Sequence, residues 1–377
     1  MMDPELDELP IVGIQAWDLI SQFPLEILRS IIEASGAPLA TYCCLIGLNH
    51  SLRFRLRGAL QRLLVSKPIP PNSFAAIMEP CRQDLTEVLF TVDLTEFDNS
   101  DQWIDTAFAK HPRLRALHFF ARDELIQPQH CDLSSATISR ILYYLPDIQT
   151  LTFELNHFGP DLVLSAVARY CPHLRDLFLR AKSSPYHEEL NVSLLVPCQD
   201  LRVLTLPTVP YEGLQTLIDE LPHLEDLSIH GPATDCDLSG CGSLRRLSIA
   251  PSVRGDHILG SVARASCPLE VINLSAEPSV LCPVLLSHAA TLVDVTLTGR
   301  VTPGVLAAIS SMPCLRRFIL RASFVGDIAI RSASLRMISI GSPASVEAAW
   351  RLREYCEQVV IAPCHPMMLS PHDVITP

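Results

Sequence analysis

Leu174-Arg175-Asp176-Leu177-Phe178-Leu179 and Leu201-Arg202-Val203-Leu204-Thr205-Leu206 spell one phrase, L-x-x-L-x-L. It returns as Leu224-Glu225-Asp226-Leu227-Ser228-Ile229 and Leu244-Arg245-Arg246-Leu247-Ser248-Ile249. Alternation of apolar and polar residues over its second half is the signature of a short strand with one face buried. Working outward, first positions of the phrase fall at Leu85, Leu114, Ile148, Leu174, Leu201, Leu224, Leu244, Leu269, Leu292, Leu315 and Leu335. The gaps run from 20 residues (Leu224 to Leu244) to 34 (Leu114 to Ile148). Between the strands, stretches 161–170, 211–221, 256–266, 303–312 and 345–355 carry helical patterns, so each unit reads as strand then helix.

A repeat of that length and wording resembles the leucine-rich repeat. One such unit cannot bury its own apolar edge, so units stack into a curved parallel sheet with a broad solvent-facing strand surface. The expected fold class is therefore α/β, a short N-terminal helical module followed by a leucine-rich-repeat solenoid. Two places stretch the register, an extra loop at 123–132 and an insertion at 181–189.

Composition agrees. The 377 residues are 48% hydrophobic and 19% charged, enough apolar surface for a core and too little charge for wholesale disorder. A net charge of −12 repels a phosphate backbone, which argues against nucleic acid as the main partner. Thirteen cysteines include no C-x-x-C pair, and the acidic start carries no signal-like apolar stretch, so a reducing compartment, cytoplasmic and/or nuclear, is expected. No run of eighteen apolar residues exists, and no membrane association is expected.

Five segments follow. Residues 1–16 read as an acidic tail, 17–65 as a helical domain, 66–80 as a Pro-rich linker, 81–362 as the repeat array, and 363–377 as a C-terminal tail. In the helical domain, Pro24 suits a first helical position, and Leu25, Ile27, Leu28, Ile31 and Ile32 cover one arc of the helix. Leu39 to Leu48 is apolar almost all round, and Leu52, Leu56, Leu60 and Leu63 suggest a third helix. So small and apolar a unit has difficulty covering its own surface.

Residues 17–65 resemble an F-box, whose opening helix reads L-P-x-E-I-L. Here the chain has Phe23-Pro24-Leu25-Glu26-Ile27-Leu28, then Ile31-Ile32, with Cys43, Cys44, Leu45 and Ile46 in the second apolar stretch. The aromatic that usually follows is absent from Ile46-Gly47-Leu48-Asn49-His50. The array is similar to the cysteine-containing repeats of F-box proteins, in which C-P-x-L precedes the strand: Cys171-Pro172-His173-Leu174 matches in full. Its relatives are Leu145-Pro146-Asp147-Ile148, Leu221-Pro222-His223-Leu224 and Met312-Pro313-Cys314-Leu315. Together these features resemble fungal-like F-box proteins with divergent C-terminal leucine-rich repeats. The resemblance implies a substrate receptor of a cullin-based, SCF-type ubiquitin ligase. Pro24, Leu25, Ile27, Leu28, Ile31, Cys44 and Ile46 would then bind a Skp-type adaptor, which joins a cullin scaffold, while the repeats hold the substrate. The alternative is a repeat scaffold unconnected to ubiquitin, its helices serving as an N-terminal cap.

Chemistry finds little purchase. The chain lacks a nucleophile elbow, a zinc H-E-x-x-H, a P-loop and a dinucleotide fingerprint, so no enzyme activity and no cofactor are expected. Cys171, Cys198, Cys267 and Cys314 recur just before strands, a packing position, and neither Cys356, Cys364 and His365 nor Cys236 and Cys241 make a four-ligand zinc set; no metal is expected. Strand alternation aims the third, fifth and seventh residues of each phrase at the concave side. That nominates Phe178, Arg180, Asp226, His230, Arg246, Arg317 and Arg321 as substrate-binding residues. From Leu244 on, Arg246, Arg317 and Arg321 against Asp294 leave this face locally at +2 (3 − 1), suited to an acidic or phosphorylated segment.

Overall fold

The structure, a computed structural model, describes residues 27–28, 62–65, 78, 85–90, 102–109, 111–120, 135–154, 160–180, 190–207, 211–231, 236–250, 256–298, 301–321, 330, 334–340 and 358–361. It divides into two compact units. The first comprises residues 1–158 and 169–171, the second 159–168 and 172–377.

In the first unit, strands β1 (Arg62–Val65), β2 (Glu87–Phe90), β3 (Ala116–Phe120) and β4 (Thr150–Glu154) pair in parallel in sequence order. Helix α1 (Gln102–Phe108) lies between β2 and β3 in the chain, and α2 (Ser135–Tyr143) between β3 and β4. The helix residues Ile104, Phe108, Ile138, Ile141 and Leu142 are buried, as are the inward strand residues Val88, Leu117 and Leu151. Phe119 and Phe153 stack in the core with ring centroids 5.5 Å apart. A bidentate pair, Arg140 Nε and Nη2 to the Asp105 carboxylate at 2.8 and 2.6 Å, ties α2 to α1.

The second unit continues the phrase. Its strands are β5 (Asp176–Arg180), β6 (Leu190–Asn191), β7 (Val203–Leu206), β8 (Tyr211–Glu212), β9 (Asp226–Ile229), β10 (Arg246–Ile249), β11 (Val271–Ser275), β12 (Asp294–Thr298), β13 (Arg317–Arg321), β14 (Met337–Ile340) and β15 (Gln358–Ile361). β6 and β8 form a small pair of their own. The others stack in parallel as β5-β7-β9-β10-β11-β12-β13-β14-β15. Among the described residues, helix α3 (Pro160–Tyr170) precedes β5, α4 (Leu214–Glu220) lies between β7 and β9, α5 (Asp256–Val262) between β10 and β11, α6 (Pro278–Ser287) between β11 and β12, and α7 (Pro303–Ser310) between β12 and β13. α5 packs on α6 and α6 on α7. Pro278 and Pro303 open their helices, where the missing N–H has no intrahelical partner to lose.

Register follows the phrase to the residue. All eleven first positions are buried, and a strand opens two residues after each. The second position joins neighbouring repeats: its carbonyl accepts two N–H groups from the next one. Arg175 O takes Arg202 N and Val203 N at 2.7 and 2.9 Å, and Arg316 O takes Arg336 N and Met337 N at 2.9 and 3.0 Å. A parallel ladder of short strands with intervening helices, each set by L-x-x-L-x-L, is the leucine-rich-repeat architecture.

Several expectations shift. Arg62–Val65 is strand rather than the end of a third helix, and it pairs with β2 on the N-terminal side of the Pro-rich stretch. Stretch 211–221 opens as β8 before its helix, and the helices in 256–266 and 303–312 end at Val262 and Ser310. α1, α2 and α6 lie outside the five stretches that carry a helical pattern, yet keep the strand-then-helix order. The 345–355 helix and the loops at 123–132 and 181–189 lie outside the described residues.

Candidate protein-binding face

Leucines at positions one, four and six turn inward, so positions three, five and seven stand on the open side of each ladder. In the first unit this side carries a polar chain. Arg62 Nη2 donates to Glu87 Oε1 at 2.9 Å, Glu87 Oε1 lies 3.6 Å from His118 Nε2, and His118 Nδ1 meets Thr152 Oγ1 at 2.8 Å. Burial lowers the His118 pKa, the charge of Glu87 works against that and Arg62 reinforces it. Thr152 is only 6% exposed, which closes it to solvent as a nucleophile.

In the second unit the third positions form one lateral row. Asp176, Val203, Asp226, Arg246, Val271, Asp294, Arg317 and Met337 are successive register partners from β5 to β14. Three acids and two bases therefore share the row, with Asp226 beside Arg246 and Asp294 beside Arg317. Burial raises the Asp226 pKa, Arg246 opposes the rise and Asp176 adds to it. Burial likewise raises that of Asp294, opposed by Arg317, whose Nη1 donates to Asp294 Oδ2 at 3.3 Å. Arg317 Nε is buried and has no hydrogen-bond partner. The fifth positions run Phe178, Thr205, Ser228, Ser248, Asn273, Thr296, Ile319 and Ser339, a band without charge beside the charged row.

The nominated residues divide accordingly. Asp226, Arg246 and Arg317 share the charged row, Arg246 being beside Asp226 and three strands from Arg317. Phe178 and His230 are half-buried, and Arg321 is exposed at the end of β13. Arg180 ends β5, its side chain outside the described residues. Of the adaptor set, Ile27 is helical and 47% exposed while its neighbour Leu28 is fully buried. Pro24, Leu25, Ile31, Cys44 and Ile46 lie outside the described residues. Among the described residues no group of histidines, cysteines and carboxylates could hold a metal, and no helix is long and apolar enough to cross a membrane.

One row escaped the sequence reading, that of the second positions, which line the lip ahead of the strands. From β5 to β14 it reads Arg175, Arg202, Glu225, Arg245, Glu270, Val293, Arg316, Arg336, joined in that order by the paired carbonyl bonds. Five arginines and two glutamates give +3 (5 − 2). Arg202 pairs with Glu225 at 3.0 Å and Arg245 with Glu270 at 2.6 Å. The repeating L-R at the head of the phrase was the signal available.

No family model and no curated protein matches the chain. Solved structures do resemble it. A chain of the yeast Rad7–Elc1 complex is 15% identical, with 87% of this chain and 86% of that one covered at a TM-score of 0.49. A leucine-rich-repeat protein of Leptospira interrogans is 12% identical, covering 82% and 98%, at 0.32. The leucine-rich-repeat protein LegL7 of Legionella pneumophila is 11% identical, covering 83% and 93%, at 0.37. The chain has a protein-interaction fold of the leucine-rich-repeat type, established here by strand register and buried leucines.

Proposed function

We propose that this chain is a non-catalytic substrate-recognition subunit of a cullin-based ubiquitin ligase. Its N-terminal segment docks on a Skp-type adaptor, and its repeats hold a protein substrate in the cytoplasm or nucleus. The observation that carries the reading is the Ile27–Leu28 pair within the F-box-like string: Leu28 is fully buried, while Ile27 keeps 47% of its surface open. An apolar side chain left open beside a buried one is what a docking helix presents, and the string stands ahead of a repeat array, the order seen in F-box proteins.

The rival reading, a repeat scaffold with an N-terminal cap, draws on β1, since Arg62–Val65, directly after the F-box-like segment, pairs with the first strand of the array. The two separate at Ile27. In the adaptor reading, Ile27→Asp in the full chain raises the Kd for a Skp-type adaptor about tenfold or more, because an apolar anchor is replaced by a desolvated charge. Thermal stability stays within about a degree, the position being half-exposed. Leu28→Ala, by contrast, costs about 2–5 kcal/mol of folding stability. Wild-type chain that captures no Skp-type adaptor at micromolar concentration in isothermal titration sinks the ligase reading and leaves the cap.

A further inference from the structure

We propose that the lip ahead of the strands in the second unit docks an extended acidic protein segment, its carboxylates seated on Arg316 and Arg336 with Arg175 as a second anchor. This rests on reading the repeats as a protein-binding array and not on adaptor capture. Arg202 and Arg245 are already held by Glu225 and Glu270, whereas no described carboxylate pairs with Arg175, Arg316 or Arg336, and all three are exposed. Arg316 and Arg336 stand on neighbouring strands, joined by the 2.9 Å bond from Arg336 N to Arg316 O, so their backbones lie about 4.8 Å apart. Alternate side chains of an extended peptide repeat every ~7 Å, within reach of two long guanidinium arms. Guanidinium groups take carboxylates bidentately.

Charge selects the occupant. The row carries +3 in a chain of net −12, so an acidic segment is guided to it. Arg175 lies six strand steps from Arg316, about 29 Å, which an extended segment of about nine residues spans. Glu225 and Glu270 interrupt the row at intervals. A peptide can set neutral residues opposite them, but a phosphodiester backbone, charged at every link, meets repulsion there.

The test is fluorescence anisotropy with the full chain and a labelled peptide of about sixteen residues alternating Glu and Ser. The Glu peptide binds, its Gln counterpart does not, and the Kd rises about tenfold between 0.05 and 0.3 M salt. Arg316→Glu with Arg336→Glu weakens binding about tenfold or more at an unchanged melting temperature, while the double lysine variant, which keeps the charge and loses the bidentate fork, falls between it and the wild type. Should the glutamate pair melt early, Arg316→Gln with Arg336→Gln carries the same expectation. Adaptor capture by these variants is unaffected, which separates this outcome from failure of the ligase reading. Equal binding of the Gln peptide, indifference to the charge reversal, or tighter binding of a single-stranded RNA of the same charge overturns the proposal.

Discussion

Asp226 shows how a single side chain can work against the fold that displays it. Burial and the neighbouring charge of Asp176 raise its pKa above 3.8, and Arg246, though beside it in register, does not cancel the rise. A carboxyl whose folded pKa is raised binds its proton more tightly folded than unfolded. Stability from that proton is therefore complete below pH 3.8 and is lost as pH rises through the folded pKa. At pH 7 the charged form costs stability, so Asp226→Asn raises the melting temperature by about 1–3 °C there. The gain disappears as pH falls below 4, where the wild-type carboxyl is itself neutral. A lower melting temperature for the variant at pH 7 means that attraction to Arg246 outweighs burial. The third-position rows were legible from the sequence because side chains alternate strictly along a strand. The bonding of Arg317 to Asp294 was not, since it depends on which repeat lies next and on how far two long side chains reach.

At the scale of the element, strands were far more legible than helices. Eleven first positions spaced by the phrase, ten leucines and Ile148, each yield a strand two residues later, because the inward apolar residues at positions four and six leave no other side to bury. Helices between them carry less information. α6 holds Pro283 within it, and α1 is only seven residues long, so neither shows a clean 3.6-residue period, and packing on neighbours supplies what local pattern lacks. Connections can be more demanding than the elements they join. Gly213, just before α4, has φ +74, and a Cβ built on it comes within 2.6 Å of Ser193 Cβ in the short 3₁₀ turn Val192–Leu195. Left-handed backbone and steric overlap act together there, so Gly213→Ala lowers stability by about 1–3 kcal/mol in chemical denaturation. Gly240→Ala, where a Cβ meets nothing within 4 Å, changes it by about 0.5 kcal/mol or less. Equal effects at the two glycines contradict this account of the turn.

For the whole molecule, the cysteines decide whether the fold depends on anything but packing. Thirteen of them in 377 residues invite a disulfide or metal reading, yet Cys171, Cys198, Cys236, Cys241 and Cys267 are free thiols buried among the repeat leucines, and Cys314 is exposed. Burial pushes the thiols of Cys198, Cys236 and Cys241 up to about 12 from 9.0, which leaves about a thousandfold less thiolate at neutral pH than in an open cysteine. Since thiolate is the reacting species, brief alkylation of the native chain followed by peptide mass mapping should label Cys314 early and these three only when their repeats open. Their labelling then reports unfolding, because repeats stacked on neighbours expose a buried thiol only by breaking the ladder on one side. Adding chelator or reductant should change neither the labelling order nor the melting temperature, as expected of an array held by leucines. Fast labelling of Cys236 or Cys241 in folded protein would show that the stacked leucine core does not close that part of the array, and a melting temperature several degrees lower in chelator would show that a metal helps to hold the fold.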